Sequence, residues 1–133
     1  MVELLDKQGI QAGPVSVVPD EVEAIQSAAR NAVAEGFQLV LFTGGTGLSP
    51  RDVTPDAISP MLDREIPGIM EAARQYGQQR MPYAMLSRGV AGFIGDSLVI
   101  TMPGSPSGVR EYMDALFPQV LHVFRVKEGA RHD

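Results

Sequence analysis

The sequence predicts an α/β fold: an open, mostly parallel sheet with helices on both faces and a short antiparallel hairpin. Three observations carry this reading. Apolar runs of strand length alternate with stretches of helical periodicity; two of those runs end in glycine-bearing turns that each open a helix; and a Gly95-Asp96 pair between two apolar runs reads as a tight hairpin turn.

Taken in order, Val2, Leu4, Leu5 and Ile10 mark an amphipathic helix that stops at Gly9. Residues 13–18 (GPVSVV) form a β-branched run bounded by Gly13 and Pro19 and read as a strand. Asp20 is expected to cap the next helix, with Glu23 completing an acidic variant of the capping box, and Val22, Ile25, Ala28, Ala29, Ala32 and Val33 give its apolar face up to Gly36. Leu39, Val40, Leu41 and Phe42 suit a strand covered on both faces. Beyond it, Thr54 is expected as an N-cap and Pro55 as the first residue of a helix running to Arg64, kinked at Pro60. Pro67 starts another helix, with Ile69, Met70, Ala73 and Tyr76 periodic as far as Gly77. Residues 89–94 and 97–102 make the hairpin. Ser105 then caps a helix beginning at Pro106, whose apolar face (Val109, Tyr112, Met113, Leu116, Val120, Val123) is interrupted near Pro118. His122 reads as a packed histidine, and Arg131, His132 and Asp133 as a frayed tail.

Composition narrows the function classes. At 133 residues and 44% hydrophobic, residues 1–133 make one domain with a single core. The absence of cysteine excludes disulfides and thiolate metal sites. No apolar run is long enough to span a bilayer and the residues after Met1 do not resemble a signal peptide, so a cytoplasmic protein with no membrane partner is expected. A formal net charge of −5 supplies no basic field to recruit nucleic acid. An anionic ligand must therefore be held locally.

Residues 38–56 (QLVLFTGGTGLSPRDVTPD) are the stretch best suited to that task. Glycines at 44, 45 and 47 let backbone N–H groups turn toward a ligand, as phosphates are cradled at the carboxyl ends of parallel strands, and Gly45 or Gly47 is expected to adopt positive φ or to lie too near a ligand for any Cβ. Thr46 and Thr54 could add hydroxyl donors. The P-loop pattern fails for want of a lysine, and the dinucleotide fingerprint for want of its third glycine. A glycine turn that only reverses the chain is the alternative, but such a turn needs no Arg51 and Asp52 ahead of a helix cap.

The segments TGGTGLSPRDVTPDA (residues 43–57), LSR (86–88) and MPGSP (102–106) resemble, in order and spacing, the molybdopterin adenylyltransferase family, often called the MoaB/Mog domain. The resemblance implies transfer of AMP from Mg-ATP to the phosphate of molybdopterin, with pyrophosphate released. Thr43, Gly44, Gly45, Thr46, Gly47, Thr54, Ser87, Arg88, Pro103, Gly104 and Ser105 would then bind substrate or nucleotide. Asp52, of the family's RDVTP motif, and Asp20, of its PDE motif, would be the catalytic carboxylates and hold Mg²⁺. Either could instead be structural, Asp52 as a turn residue and Asp20 as a helix cap. The resemblance further implies a homo-trimer and other molybdenum-cofactor synthesis proteins as partners. Two alternatives stay open: a non-catalytic molybdopterin-binding or oligomerising module, and a related domain of the molybdate-insertion or competence-damage type. Family members open on an apolar strand and a Ser-Asp loop where this chain opens on a helix. A truncated chain or part of a fusion is the resulting expectation, with the exposed strand edge covered by another subunit, a swapped segment or the N-terminal residues themselves.

Overall fold

The computed structural model describes residues 1–129. The expected frayed tail at Arg131–Asp133 lies outside them. Four strands form one open mixed sheet in the order β1-β4-β3-β2: β1 (Leu39–Thr43), β2 (Arg64–Glu65), β3 (Ala91–Ile94) and β4 (Ser97–Met102). β1 and β4 run parallel, Leu39 opposite Leu98 and Thr43 opposite Met102. β3 pairs antiparallel with both β4 and β2. The hairpin turns at Gly95, whose φ of +58° lies in the left-handed region that glycine adopts freely.

Among the described residues six α-helices flank the sheet: α1 (Val2–Lys7), α2 (Val22–Ala34), α3 (Thr54–Ile58), α4 (Pro67–Gln78), α5 (Pro106–Leu116) and α6 (His122–Lys127). Strand alternation sends successive side chains to opposite faces, so the sheet builds two cores, one on each face, where the composition predicts a single one. On one face Leu39, Leu41, Leu98, Ile100 and Met102 pack with residues of α1, α4 and α5. On the other, Val40, Phe42 and Val99 pack with Ile25 and Ala29 of α2 and Ala57 and Ile58 of α3. The α/β class with helices on both faces is as the sequence predicts. Every residue of β4 is buried, which a strand sandwiched between neighbours and between helical layers requires.

Three elements differ from expectation. Residues 13–18 join no ladder among the described residues: Val15 and Val17 are exposed, and Val18 alone packs on a core. β-branched residues favour a strand only where a neighbour offers pairing and a surface to cover, and this segment meets neither. Without it the sheet has one parallel pair rather than a mostly parallel order. The helix expected over residues 55–64 ends at Ile58 and tightens into a 3-10 turn, Ser59–Met61. Pro60 has no N–H to continue the helical ladder, and Asp63 then donates to the Phe93 carbonyl at 2.8 Å, entering the sheet as β2. The caps also shift. Glu21, not Asp20, precedes α2, and Val53, not Thr54, precedes α3, neither with a side-chain cap bond. Ser105 does cap α5, its Oγ accepting the Gly108 N–H at 3.1 Å.

β1 lies at the sheet's edge. Gln38 accepts from Leu98 N–H and Gly44 donates to the Met102 carbonyl, so the even-numbered residues between them face β4. Leu39, Leu41 and Thr43 direct their backbone groups to the other flank, where no hydrogen bond meets them among the described residues. No helix of the described residues is long and apolar enough to cross a membrane.

Candidate functional site

Because β1 and β4 are parallel neighbours, the loops that follow them leave the sheet at the same edge. They touch backbone to backbone: a Cβ on Gly104 would stand 3.2 Å from the Gly44 Cα. Gly44 and Gly45 have φ of +95° and +69°, as expected of Gly45. A Cβ on Gly45 would strike the Thr54 hydroxyl, and Thr54 N–H donates to the Gly45 carbonyl at 3.1 Å. Thr54 is buried and braces the loop from beneath.

The second half of the loop is held by two side chains. Asp52 Oδ2 accepts the Ser49 N–H at 2.9 Å, closing the turn, and a Cβ on Gly47 would lie 2.9 Å from that same oxygen. Arg88 fastens the loop from outside. Its backbone N–H donates to the Thr46 carbonyl at 2.8 Å, its Nε to the Gly47 carbonyl at 2.8 Å and its Nη2 to the Asp52 carbonyl at 2.5 Å. The remaining donors reach the Asp56 carboxylate at 3.2–3.3 Å. The hydrogen bond from Arg88 holds the Asp56 carboxyl below the ordinary range and pushes the guanidinium further up. A rigid planar fork suits this bridging, which a lysine could not reproduce.

Beside the loops opens a cavity of about 410 Å³. Thr46, Gly47, Ser87, Pro103 and Ser105 line it, together with Glu111 and Tyr112 of α5. Ser87 Oγ and the Tyr112 hydroxyl lie 3.4 Å apart. Leu48, Met81, Tyr83 and Leu86 give it a broad apolar rim, exposed to solvent. Such a cavity, apolar with a few converging hydroxyls and loop amides, has the make-up of a small-molecule site. Thr43 and Gly104 face a second cavity, of about 400 Å³, between α1 and the start of α5.

Five of the eleven expected binding residues thus meet in one cavity and two in the other, while Gly44 makes the loop contact with Gly104 and Gly45 packs on Thr54. Arg88, Thr54 and Asp52 line neither; they support the loop. Asp20 is exposed ahead of α2 and also lines neither cavity. Among the described residues no group of three or more His, Asp or Glu is placed to share a metal ion. His122, expected to be packed, is exposed at the start of α6. The sequence reading missed Tyr112 and Glu111, whose spacing from Gly108 along α5 puts them over the cap that Ser105 makes. It also missed Met81 and Tyr83, since apolar residues in a connecting segment carry no periodicity to mark them.

Known proteins resemble the chain in sequence and in fold. The profile described as "Probable molybdopterin binding domain" matches residues 1–122. The chain is 35% identical over 130 residues to the molybdenum cofactor biosynthesis bifunctional protein of Chlorobaculum tepidum, covering 98% of this chain and 42% of that protein. It is 42% identical over 101 residues to the molybdopterin adenylyltransferase of Haemophilus influenzae, covering 75% of this chain and 51% of the other. The chain therefore spans about half or less of these two relatives. Among solved structures, a molybdopterin biosynthesis protein from Mycobacterium abscessus superposes with a TM-score of 0.91 at 42% identity, over 96% of this chain and 82% of that one. By profile, sequence and fold alike, the chain belongs to the molybdopterin-binding, MoaB/Mog family of molybdenum cofactor biosynthesis domains.

Proposed function

We propose that this domain acts in molybdenum cofactor biosynthesis by transferring AMP from Mg-ATP to the phosphate of molybdopterin, with release of pyrophosphate. The observation that carries the reading is the 410 Å³ cavity beside two touching glycine loops, in a chain 42% identical to a named molybdopterin adenylyltransferase. The rings of Tyr83 and Tyr112 with Leu48 offer apolar surface to a flat pterin. Ser87 and the Tyr112 hydroxyl offer hydrogen bonds to its polar edge. The loop amides around Thr46 and Gly47 are the local source of positive potential for a phosphate.

Nucleotidyl transfer is catalysed chiefly by positioning and charge neutralisation, so the protein needs to hold two phosphates in line more than to move protons. Asp52 commits one carboxylate oxygen to the Ser49 amide, and no cluster of three or more ligands exists among the described residues. This donor set fits Mg²⁺ that arrives on the nucleotide and keeps phosphate and water ligands, rather than a protein-built cage. Asp52 and Asp20 would be its protein ligands, and the ion would supply charge neutralisation at the phosphates. Homo-trimeric assembly and contact with other cofactor-synthesis proteins belong to the same reading through the family resemblance.

A second reading, a molybdopterin-binding module without catalysis, is favoured by one observation: Asp52 has a sufficient role in its turn and Asp20 lines neither cavity. Pyrophosphate release from Mg-ATP, measured with and without molybdopterin, separates the two. Release that depends on molybdopterin supports the transferase. Tight molybdopterin binding without release supports the module.

A further inference from the structure

We propose that the buried hydroxyl of Thr101 is a positioning group for the site: it ends the pairing of β3 with β4 and so directs Ser87 and Arg88 to the glycine loop. The inference rests on the reading of the Ser87 cavity as the molybdopterin site. It adds a residue that lines neither cavity and belongs to none of the three sequence motifs.

β3 pairs with β4 as far as Ala91 opposite Ile100. One step further, Val90 stands opposite Thr101, where an antiparallel hydrogen-bonded pair exchanges two backbone bonds. Half of that exchange is made, Thr101 N–H donating to the Val90 carbonyl at 3.1 Å. The other half is intercepted. Val90 N–H donates at 2.8 Å to the side-chain Oγ1 of Thr101 instead of to its carbonyl, and the hydroxyl donates its own proton to the Val90 carbonyl at 3.0 Å. One fully buried side chain thus holds both polar backbone groups of the residue at which the ladder stops.

Released from the ladder, the preceding residues leave β4. Gly89 crosses close over Thr101, where a Cβ would lie 3.1 Å from Oγ1 and 3.4 Å from the carbonyl oxygen. Arg88 then donates its backbone N–H to the Thr46 carbonyl at 2.8 Å, and its guanidinium reaches the Gly47 and Asp52 carbonyls. Ser87 faces the cavity, and Pro103 and Ser105, which follow Thr101 directly out of β4, line the same cavity. Through one hydroxyl, Thr101 joins the chain that carries Ser87 to the strand that carries Pro103 and Ser105. Valine has the same shape without that hydroxyl. In Thr101→Val the buried Val90 N–H loses its acceptor and turns to the carbonyl at position 101, which lengthens the ladder by one pair and draws Gly89 and Arg88 toward β4, off Thr46.

The test compares the full-length parent with Thr101→Val, Thr101→Ser and Thr101→Ala, the fold of each verified by circular dichroism. If the valine variant does not fold, serine against alanine isolates the hydroxyl in the same way. Amide exchange followed by NMR reads the geometry, as the ratio of the Arg88 rate to that of Leu98, whose N–H donates to the Gln38 carbonyl within the sheet. Loss of the hydroxyl should raise that ratio about tenfold or more in Thr101→Val and Thr101→Ala, with Thr101→Ser close to the parent. Calorimetric titration should find molybdopterin bound about tenfold more weakly by the same two variants and with restored affinity by Thr101→Ser. A fold that is merely destabilised speeds both amides together and leaves the ratio unchanged, and that result overturns the proposal. So does an Arg88 amide that loosens while molybdopterin affinity holds. A parent that binds no molybdopterin removes the proposed function; a raised ratio then still supports Thr101 as the group that directs Arg88 to the loop, and an unchanged ratio overturns both.

Discussion

Arg88 and Asp56, separated by 32 residues, form an ion pair at 3.2 Å whose guanidinium also holds the carbonyls of Gly47 and Asp52. One side chain thereby fixes both ends of the second half of the glycine loop. Replacing Arg88 with alanine should lower the melting temperature and, because the loop forms part of the cavity wall, weaken molybdopterin binding as well. Arg88→Lys should restore only part of either, as an ammonium cannot span three carbonyl and carboxylate acceptors in one plane. Thermal denaturation and ligand titration measure the two effects; full rescue by lysine would mean that charge alone matters.

The same pair gives the loop an acid limit. Asp56 titrates below its ordinary value of 3.8 in the folded protein because Arg88 donates to it. The unfolded chain therefore binds the proton more readily. The pair's contribution is fully present above about pH 4 and is lost as pH falls through the depressed folded value. Stability–pH curves of the parent and Asp56→Asn should differ at neutral pH and converge below that window. Parallel curves down to the lowest pH would show that the pair contributes nothing.

Glycine substitutions can separate backbone strain from contact. Gly36 has φ of +86° with nothing within 4 Å of a Cβ, so Gly36→Ala pays for conformation alone, about 1 kcal/mol. Gly45→Ala meets the same conformational cost and drives a methyl into Thr54, which should bring the total to about 2–4 kcal/mol. Denaturant midpoints give the difference directly. Gly47 has no positive φ, and Gly47→Val should act by displacing the Asp52 carboxylate from the Ser49 amide, weakening molybdopterin binding more than stability. Equal ligand affinity for Gly47→Val and the parent would dissociate this loop from binding.

For the carboxylates, asparagine is the informative replacement at Asp52 because it keeps an acceptor for Ser49 N–H while removing the charge. Asp52→Asn should reduce adenylyl transfer on the order of a hundredfold or more with molybdopterin affinity nearly intact. Asp20→Asn should do so less severely. Turnover of Asp52→Asn equal to that of the parent would leave Asp52 as a turn residue only.

What could be read in advance was what local chemistry dictates. The Ser105 cap, the Gly95 turn, the glycine stops after α1 and α2 and the positive φ of Gly45 each follow from a residue and its immediate neighbours. Residues 13–18 could not be judged that way, because whether a β-branched run becomes a strand depends on a partner's free edge. β2 was invisible for the opposite reason: two exposed charged residues, Arg64 and Glu65, pair only because Phe93 and Gly92 lie opposite. At the site, the motif located the loops but not their supports. That the Arg88 donors are taken up by Gly47, Asp52 and Asp56, and that Tyr112 reaches Ser87, are contacts across 25 to 41 residues which no spacing rule contains.

The position of β1 imposes a rhythm on its amides. Val40, Phe42 and Gly44 point at β4 and should hold their protons until the sheet itself opens, whereas Leu39, Leu41 and Thr43 point at the flank where no hydrogen bond meets them among the described residues. In deuterated water the strand should exchange in a two-residue alternation, slow and fast, although every side chain from Leu39 to Phe42 packs against one core or the other. A chain segment seated along that flank would slow the odd-numbered amides alone, which makes their exchange rates a residue-by-residue reporter of whatever docks there.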